Sequence, residues 1–407
     1  MANKLKVLHV ASWFPSEVHR SLGNFVARHV EAVAKVCEAE VWAPIPVKWT
    51  ASAVMKMRGI DGVETASNKE GTWTIRRLYH ESTRPQLVGV ARAMAGQAGN
   101  MDWKPDVVHL HVAYPAGPAA VAWAKKWDVP VVLTEHWTAY HDCKSLPWWR
   151  RRVVRDVVRQ ANVLCPVSAD LGRAISEAVP NGKAAVRVVP NVVDTSVFKI
   201  AEPELLSGVP VGATRRKMDR DGLNRILHVS SMNDDQKNVT GLLDALEGLM
   251  RNQESLRATF VGGEAADLDV FKAKVEAMGL SERIAFTGPL RITDVVRQMQ
   301  SHDVLVLNSR RENFPCVIPE AWACGLPVMS TNVGGIREHL PKGLSERGFL
   351  LDAEASSEAW CDAFQAMNSR QWDAQTIRSY ATTHFSMDAV GDAYLLAYHK
   401  ALRHGKP

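Results

Sequence analysis

The sequence predicts an α/β protein in which two domains, each an open parallel sheet with covering helices, face a cleft. The chain has 407 residues, and at roughly 100–200 residues per domain this length predicts two or three domains. Short apolar runs alternate with segments of helical periodicity in both halves, which is the pattern of parallel strands joined by crossover helices. Between the halves, residues 201–224 are rich in Gly, Pro and charge and predict a linker.

The first half begins with an apolar run at 5–11, which predicts a strand covered on both faces. After a polar loop, Phe25, Val26, His29, Val30, Val33 and Ala34 recur at helical spacing. Ser168 is predicted to cap the helix that follows the strand at 163–167. The remaining predicted elements are strands at 40–43, 107–112, 129–134 and 186–189 and a helix at 116–127.

The second half repeats the alternation after the linker. Strands are predicted at 225–229, 258–261, 284–286, 304–307 and 327–330, and helices at 240–251, 269–278, 292–299 and around Glu320. The apolar positions of 387–403 lie on one face and predict an amphipathic C-terminal helix. The predicted domains are therefore 1–200, completed by a helix within 383–407, and 220–382.

Composition excludes several classes of protein. Hydrophobic residues make up 46% and charged residues 23%, which is typical of a globular chain and excludes wholesale disorder. The formal charge of +5 is too small to predict nucleic-acid binding. The six cysteines show no CxxC spacing, which predicts reduced thiols. The sequence also shows no recognisable signal peptide and no long apolar segment, so we expect a cytoplasmic protein.

The strongest motif places two carboxylates eight residues apart where a strand leads into a helix. Glu312 is expected in the loop after strand 304–307, and Glu320 early in the following helix, because Pro315 and Pro319 are tolerated only near a helix start. Carboxylates there could accept hydrogen bonds from sugar or ribose hydroxyls, while backbone N–H groups hold a phosphate. The alternative from these residues alone is a helix start with two solvated acids.

The motif of Glu312 and Glu320 resembles the signature of retaining GT-B glycosyltransferases. The resemblance includes the residues that follow Glu320, Ala-Trp-Ala-Cys-Gly-Leu-Pro-Val, and the later run Gly334-Gly335-Ile336-Arg337-Glu338. The similarity is greatest to family 4, which includes bacterial cell-envelope mannosyl- and glucosyltransferases. It extends over nearly the whole chain, through residues 5–11, Gly23-Asn24-Phe25, Thr134-Glu135-His136, residues 190–194 and Phe286-Thr287-Gly288. The resemblance implies two Rossmann-like domains, with the C-terminal helix crossing back to the N-terminal domain.

The resemblance also implies roles for individual residues. Glu312, Lys237 and His136 would be catalytic: Glu312 and His136 would contact the transferred sugar, and Lys237 the diphosphate. Substrate-binding positions would be Gly23, Asn24, Asn313, Phe314, Glu320, Ser231 and Gly288, with Glu320 on the ribose and backbone amides of Asn313 and Phe314 on the diphosphate and sugar. Ser231 stands where the family usually has an arginine.

Alternative interpretations of Lys237 and His136 are a solvated lysine and a core histidine. His109, His111 and His141 lie near His136 in the sequence, but their spacings match no metal motif, so we expect no metal and no cofactor. No P-loop, dinucleotide-binding or α/β-hydrolase motif is present.

Residues 144–159 carry Lys144, Arg150, Arg151, Arg152, Arg155 and Arg159 against the single acid Asp156, beside Trp148 and Trp149. This segment suits an anionic membrane surface, which predicts peripheral association with the inner face of a membrane. The alternative is a solvated helix with valines packed inward.

The predicted function is transfer of a sugar, with retention of configuration, from a nucleoside diphosphate sugar to a hydroxyl of a glycan or lipid-linked acceptor in cell-surface polysaccharide or glycolipid synthesis. The alternatives are a sugar-nucleotide epimerase or hydrolase, and a non-catalytic nucleotide-sugar-binding subunit. A two-domain NAD-dependent enzyme is the least supported.

Overall fold

A computed structural model describes residues 4–20, 22–48, 63–67, 72–82, 85–95, 97, 103–201 and 222–403. The chain divides into two compact units, the first comprising Met1–Val192 and Met387–Pro407 and the second Val193–Ser386. The predicted linker at 201–224 lies almost entirely outside the described residues. All six cysteines are described, and they are free thiols.

The first unit is built on an eight-stranded sheet in the order β3-β4-β2-β1-β5-β6-β7-β8. All strand pairs are parallel except β3 with β4. Because β1 lies between β2 and β5, the strand order reverses there, and the loops after β1 and β5 leave the sheet at its switch point. The strands are β1 Lys6–Ala11, β2 Glu38–Val47, β3 Val63–Ser67, β4 Trp73–Glu81, β5 Val107–His111, β6 Val131–Glu135, β7 Val163–Pro166 and β8 Ala185–Val186.

Helices cover this sheet: α1 Asn24–Val36, α2 Gln86–Met94, α3 Gly117–Trp127, α4 Trp148–Gln160, α5 Ala169–Ala178 and α13 Met387–Arg403. The predicted cap is confirmed, because the Ser168 hydroxyl accepts a hydrogen bond from the Leu171 amide at the start of α5. The predicted C-terminal helix is also confirmed, and it belongs to the first unit. Gly391 of α13 lies so close to α1 that a Cβ there would approach the Ala32 carbonyl oxygen to 2.6 Å.

The second unit is built on a seven-stranded sheet in the order β11-β10-β9-β12-β13-β15-β14, parallel except for β14 with β15. Its strands are β9 Arg225–Val229, β10 Arg257–Val261, β11 Ile284–Gly288, β12 Val304–Leu307, β13 Val328–Thr331, β14 Gly343–Ser345 and β15 Gly348–Leu351. Its helices are α6 Asp234–Lys237, α7 Val239–Asn252, α8 Ala265–Ala277, α9 Ile292–Ser301, α10 Val317–Ala323, α11 Ser357–Asn368 and α12 Ala374–Phe385.

The strands predicted at 225–229 and 304–307 are confirmed to the residue as β9 and β12. The strand predicted at 186–189 is wrong over most of its length, because β8 covers only Ala185–Val186. The sequence pattern predicts no element at β3, β4, β14, β15, α2, α11 or α12. The described helices are all too short or too polar to cross a membrane.

Candidate active site

The second unit has its own switch point between β9 and β12. These strands are neighbours, with Ile226 opposite Val304 and Leu227 opposite Leu305, while β10 and β11 extend to one side and β13, β15 and β14 to the other. Open α/β sheets bind ligands outside the carboxyl ends of the strands at such a point. The loops that leave there contain Ser231 on one side and Glu312 on the other.

At this switch point Lys237 and Glu312 form an ion pair. The Lys237 Nζ lies 2.5 Å from Oε1 of Glu312, and the same oxygen accepts a hydrogen bond of 2.8 Å from the Ser309 hydroxyl. The two side chains are only 14% and 6% exposed. Lys237 is therefore not the solvated lysine of the alternative interpretation, and the structure brings two predicted catalytic residues together.

The backbone that carries Glu312 is held by the two glycines after β13. Gly334 has φ +56, and a Cβ at this position would lie 1.8 Å from the Glu312 carbonyl oxygen, so only glycine fits. The amide of Gly335 donates a hydrogen bond of 2.6 Å to the Asn313 carbonyl oxygen. The glycine pair that formed part of the sequence signature thus fixes the position of the loop that contains Glu312 and Asn313.

Glu320 lies in the first turn of α10 and is buried, as the sequence predicts. The Asn313 side chain is buried as well. The Phe314 ring packs into the core, 4.7 Å from His339 and 5.4 Å from Phe385 between ring centroids. A contact from Phe314 to a ligand would therefore be made by its backbone.

Ser231 is exposed in the loop after β9, beside a hydrogen-bonded pair that the sequence analysis missed. The Nδ1–H of His228 donates to the Val306 carbonyl oxygen at 2.8 Å, and the Ser230 hydroxyl lies 2.8 Å from Nε2. Burial lowers the pKa of His228 to about 4, so the ring is neutral and Nε2 accepts from Ser230. Met232 follows with φ 59, a backbone conformation that is costly for a residue with a side chain.

Gly288 ends β11, the edge strand, with φ 71 and a buried position. Its carbonyl oxygen accepts a hydrogen bond of 2.9 Å from the Gly262 amide after β10. It lies at the same carboxyl edge of the sheet as Ser231 and Glu312, but β9 and β10 separate it from β12.

In the first unit, the loop after β1 and the end of β6 lie side by side. Gly23 precedes α1, and the exposed Asn24 is the first residue of that helix. Phe25 packs against His136, with 4.4 Å between ring centroids. The structure therefore brings three predicted site positions, Gly23, Asn24 and His136, to one edge of this sheet.

Glu135 is a candidate functional residue to which the sequence analysis gave no role. Its buried carboxylate accepts hydrogen bonds from the Ala113 amide at 2.7 Å, the Tyr140 hydroxyl at 2.8 Å and the His136 amide at 3.2 Å. Burial raises its pKa to about 7, although these hydrogen bonds oppose the shift. Glu135 joins the loop after β5 to the turn that carries His136, and its position directly before His136 was the available sequence signal.

His136 continues into a buried polar network. Burial holds the pKa of His136 well below its usual value, and the Asn191 side chain hydrogen-bonds to it. Asn191 Oδ1 also lies 3.4 Å from Nε2 of His29, whose Nδ1 is 2.8 Å from the Tyr394 hydroxyl of α13. The network connects the predicted catalytic histidine, His136, to α1 and α13. The environment of His136 therefore fits the alternative interpretation of a core histidine in part.

Three buried histidines, His9, His109 and His111, place ring nitrogens within 4.8 Å of one another. The spacing of His109 and His111 does not reveal His9, which β1 supplies. Nδ1 of His9 and Nε2 of His111 are hydrogen-bonded to each other at 3.0 Å. Nδ1 of His109 lies 2.7 Å from the Tyr398 hydroxyl, and Nε2 of His109 lies 2.7 Å from the Thr134 hydroxyl. A metal would have to displace one of these hydroxyls, so we interpret the cluster as a polar core network.

Helix α4 shows both features expected of residues 144–159. Val154, Val157 and Val158 are buried, while Trp148 is 70% exposed. The Arg150 guanidinium lies over the Tyr114 ring at 4.8 Å, and Arg152 is exposed. The helix is therefore packed on one face and presents tryptophan and arginine on the other.

Comparison with known proteins gives matches in both halves of the chain. A family model described as Glycosyl transferases group 1 matches residues 224–369, and one described as Glycosyltransferase Family 4 matches residues 68–197. A glycogen synthase of Mycobacterium tuberculosis is 29% identical over 74% of this chain and 70% of its own length. A D-inositol 3-phosphate glycosyltransferase of Corynebacterium jeikeium is 25% identical over 71% of this chain and 70% of its own.

Solved structures support the same fold. Anabaena Alr3699/HepE in complex with UDP and glucose superposes with a TM-score of 0.70 at 17% identity, over 97% of this chain and 99% of that one. A sucrose-phosphate synthase from Thermosynechococcus elongatus gives a TM-score of 0.72 at 14% identity, over 97% and 98%.

The fold and the matches define a glycosyltransferase, an enzyme that transfers sugar. The chain belongs to the group 1 glycosyltransferases with the two-domain, Rossmann-like GT-B fold.

Proposed function

We propose that this enzyme transfers a sugar from a nucleoside diphosphate sugar to a hydroxyl of a glycan or lipid-linked acceptor, with retention at the anomeric carbon. The observation that carries the proposal is the cluster of Lys237, Glu312 and Ser309 at the switch point of the second unit. This arrangement supplies a cation for a phosphate and a carboxylate for sugar hydroxyls. We propose no metal in the reaction and no other cofactor.

In the proposed step, the bond between the anomeric carbon and the diphosphate oxygen breaks and a bond to the acceptor oxygen forms on the same face of the sugar. The acceptor proton passes to the leaving diphosphate. Lys237 stabilises the negative charge that develops on that group, and such preorganised electrostatic stabilisation is often the largest contribution to catalysis. Glu312 orients the transferred sugar, and Glu320 accepts hydrogen bonds from the ribose.

UDP-glucose is the first donor to test, because the similar Anabaena protein was solved with UDP and glucose. Release of nucleoside diphosphate from UDP-, GDP- and ADP-sugars is measured with and without a panel of glycan and lipid-linked acceptors. We expect one donor to be consumed in the presence of an acceptor only, and NMR of the product to show the donor's anomeric configuration. Full turnover without an acceptor would favour an epimerase or hydrolase, and binding without turnover a non-catalytic subunit.

We further propose that the reaction serves cell-surface polysaccharide or glycolipid synthesis and takes place at an anionic membrane surface. The exposed Trp148 and Arg152 of α4 support this location, since tryptophan and basic side chains together favour the membrane interface.

Trp148→Ala combined with Arg152→Gln should reduce sedimentation with vesicles that contain anionic lipid. Each basic residue near such a surface contributes about 1 kcal/mol, and the indole adds buried apolar area. Lys272→Gln in the second unit is the matched control, because Lys272 is an exposed cation on a helix. Equal sedimentation of all three proteins would leave α4 as a solvated helix.

A further inference from the structure

The diphosphate that leaves in the proposed reaction is strongly anionic, yet the charge of Lys237 at the switch point is already matched by a carboxylate of the protein. Lys237 is paired with Glu312, so the pair adds no net positive charge. Arg310 is also engaged: its guanidinium donates to the Asp234 carbonyl oxygen at 2.6 Å and to the Asn238 side-chain oxygen. Arg310 therefore holds α6 against the loop after β12.

Arg311 differs from Arg310 although it is the next residue. It is exposed, and within the described part of the chain its guanidinium has no hydrogen bond, ion pair or ring contact. Its backbone is fixed, because the Arg311 carbonyl oxygen accepts a hydrogen bond of 3.3 Å from the Gln236 side chain. Arg311 is thus an unpaired cation directly before Glu312 in the chain. Its backbone is hydrogen-bonded to Gln236, which is the neighbour of Lys237.

We propose that Arg311 binds the distal phosphate of the donor diphosphate. The inference rests on the proposed function and deepens it, since it identifies a second cation for the leaving group. A guanidinium presents parallel N–H donors that match two phosphate oxygens. Because no carboxylate has to release it first, Arg311 can contact the diphosphate while Lys237 is still paired with Glu312.

The test measures binding of UDP, GDP and ADP, and of UMP, GMP and AMP, by isothermal titration calorimetry. Arg311→Ala should weaken binding of the preferred diphosphate about tenfold to a hundredfold, the loss expected for one charge-assisted hydrogen-bonding group. Affinity for the corresponding monophosphate should fall much less, because that ligand lacks the distal phosphate. Arg297→Ala is the matched control, since Arg297 is an exposed arginine on α9 that pairs with Asp294 one turn away.

Arg311→Lys separates charge from local structure. Lysine keeps the positive charge but lacks the two parallel N–H donors of the guanidinium. The loss of diphosphate affinity in Arg311→Lys should therefore be larger than in Arg297→Ala and smaller than in Arg311→Ala. Equal losses of affinity for the monophosphate and the diphosphate in Arg311→Ala would overturn the assignment.

The two proposals fail differently. If the unsubstituted enzyme binds a diphosphate and Arg311→Ala binds it equally well, only the role of Arg311 is wrong. If the unsubstituted enzyme binds none of the three diphosphates, the proposed donor site is wrong and the role of Arg311 with it.

Discussion

Lys237 and Glu312 are 75 positions apart in the chain, and their contact decides how each can act. In the described structure the carboxylate of Glu312 neutralises Lys237. Binding of a diphosphate would offer Lys237 a stronger anionic partner, and Glu312 would then be available to a sugar hydroxyl. We therefore expect the lysine to matter more for the developing charge of the transition state than for binding of the ground state.

Lys237→Ala should lower kcat by at least about a hundredfold, the typical loss when one preorganised donor is removed, and change the donor affinity much less. Steady-state kinetics and calorimetric titration of the donor check this expectation. Lys274→Ala, which removes a partly exposed lysine paired with Asp244, is the control. Equal losses in kcat and affinity would contradict a role specific to the transition state.

Glu320→Ala should weaken nucleotide binding, because each hydrogen bond from a ribose hydroxyl to a charged acceptor contributes about 1.5–3 kcal/mol. The measurement is the affinity of the nucleoside diphosphate beside that of its 2′,3′-dideoxy analogue. The substitution should remove the preference for the ribose form. An unchanged preference would show that another residue binds the ribose.

At this scale, the sequence could nominate residues for a candidate site but could not predict all of their contacts. Glu312 and Glu320 became candidates through the resemblance of their motif, with the glycine pair that follows, to a known family. The ion pair to Lys237 could not be derived from spacing, because it depends on β9 and β12 being neighbours although β10 and β11 separate them in the chain. Glu135 was missed because it directly follows an apolar strand. A glutamate at that position has the same neighbours in the sequence whether its side chain is buried or reaches solvent.

Among the elements, the loop from β1 to α1 depends on a glycine at one position. Gly23 has φ +75, and a Cβ there would lie 2.5 Å from the Trp13 carbonyl oxygen. The residue that follows begins α1, so a shift at Gly23 would move Phe25 away from His136.

Gly23→Ala should destabilise the first unit by more than the roughly 1–2 kcal/mol that left-handed backbone costs, because the contact with Trp13 adds to that cost. Gly279→Ala is a matched control, since Gly279 has φ +70 with nothing within 4 Å of the added Cβ. Denaturant unfolding of both variants gives the two costs. Equal destabilisation would show that the loop relaxes around the added methyl group.

Strand β2 shows why some element boundaries could not be predicted. The predicted strand spans only 40–43, and it is followed by Pro44 and Pro46, a residue type that is rare within central strands. In the structure β2 pairs with β1 only as far as Trp42, while its pairing with β4 continues to Val47. The prolines therefore lie beyond the residues of β2 that pair with β1, where β1 needs no backbone N–H donor from β2. Their tolerance depends on the length of the neighbouring strand, which the local sequence does not reveal.

Across the whole molecule, buried histidines should make stability depend on pH. Burial lowers the pKa of His9 to about 3 and of His29 to about 4, and holds those of His109, His111 and His136 well below the usual value. These residues are neutral when folded and bind protons when unfolded below about pH 6.5. Their contribution to stability is therefore complete above that pH and is lost as the pH falls towards 4.

The unfolding midpoint should rise between pH 5 and pH 6.5, because at pH 5.5 each such histidine costs about 1.4 kcal/mol of stability. Glu135 acts in the opposite direction, since its folded pKa of about 7 exceeds its unfolded value and its cost grows as the pH rises. Glu135→Gln removes that opposing contribution and should steepen the rise. A midpoint that is flat or falls over this range would show that the histidines are solvated.

The return of the chain to the first unit has a consequence for the order of folding during synthesis. Val193–Ser386 is continuous in sequence, so the second unit can fold as soon as that segment leaves the ribosome. The first unit cannot, because Tyr394 and Tyr398 of α13 complete its core and are translated afterwards. The half of the enzyme that is synthesised first is therefore the half that is completed last, and until α13 is made the apolar residues that it covers, such as Val33 and Val132, lack that cover.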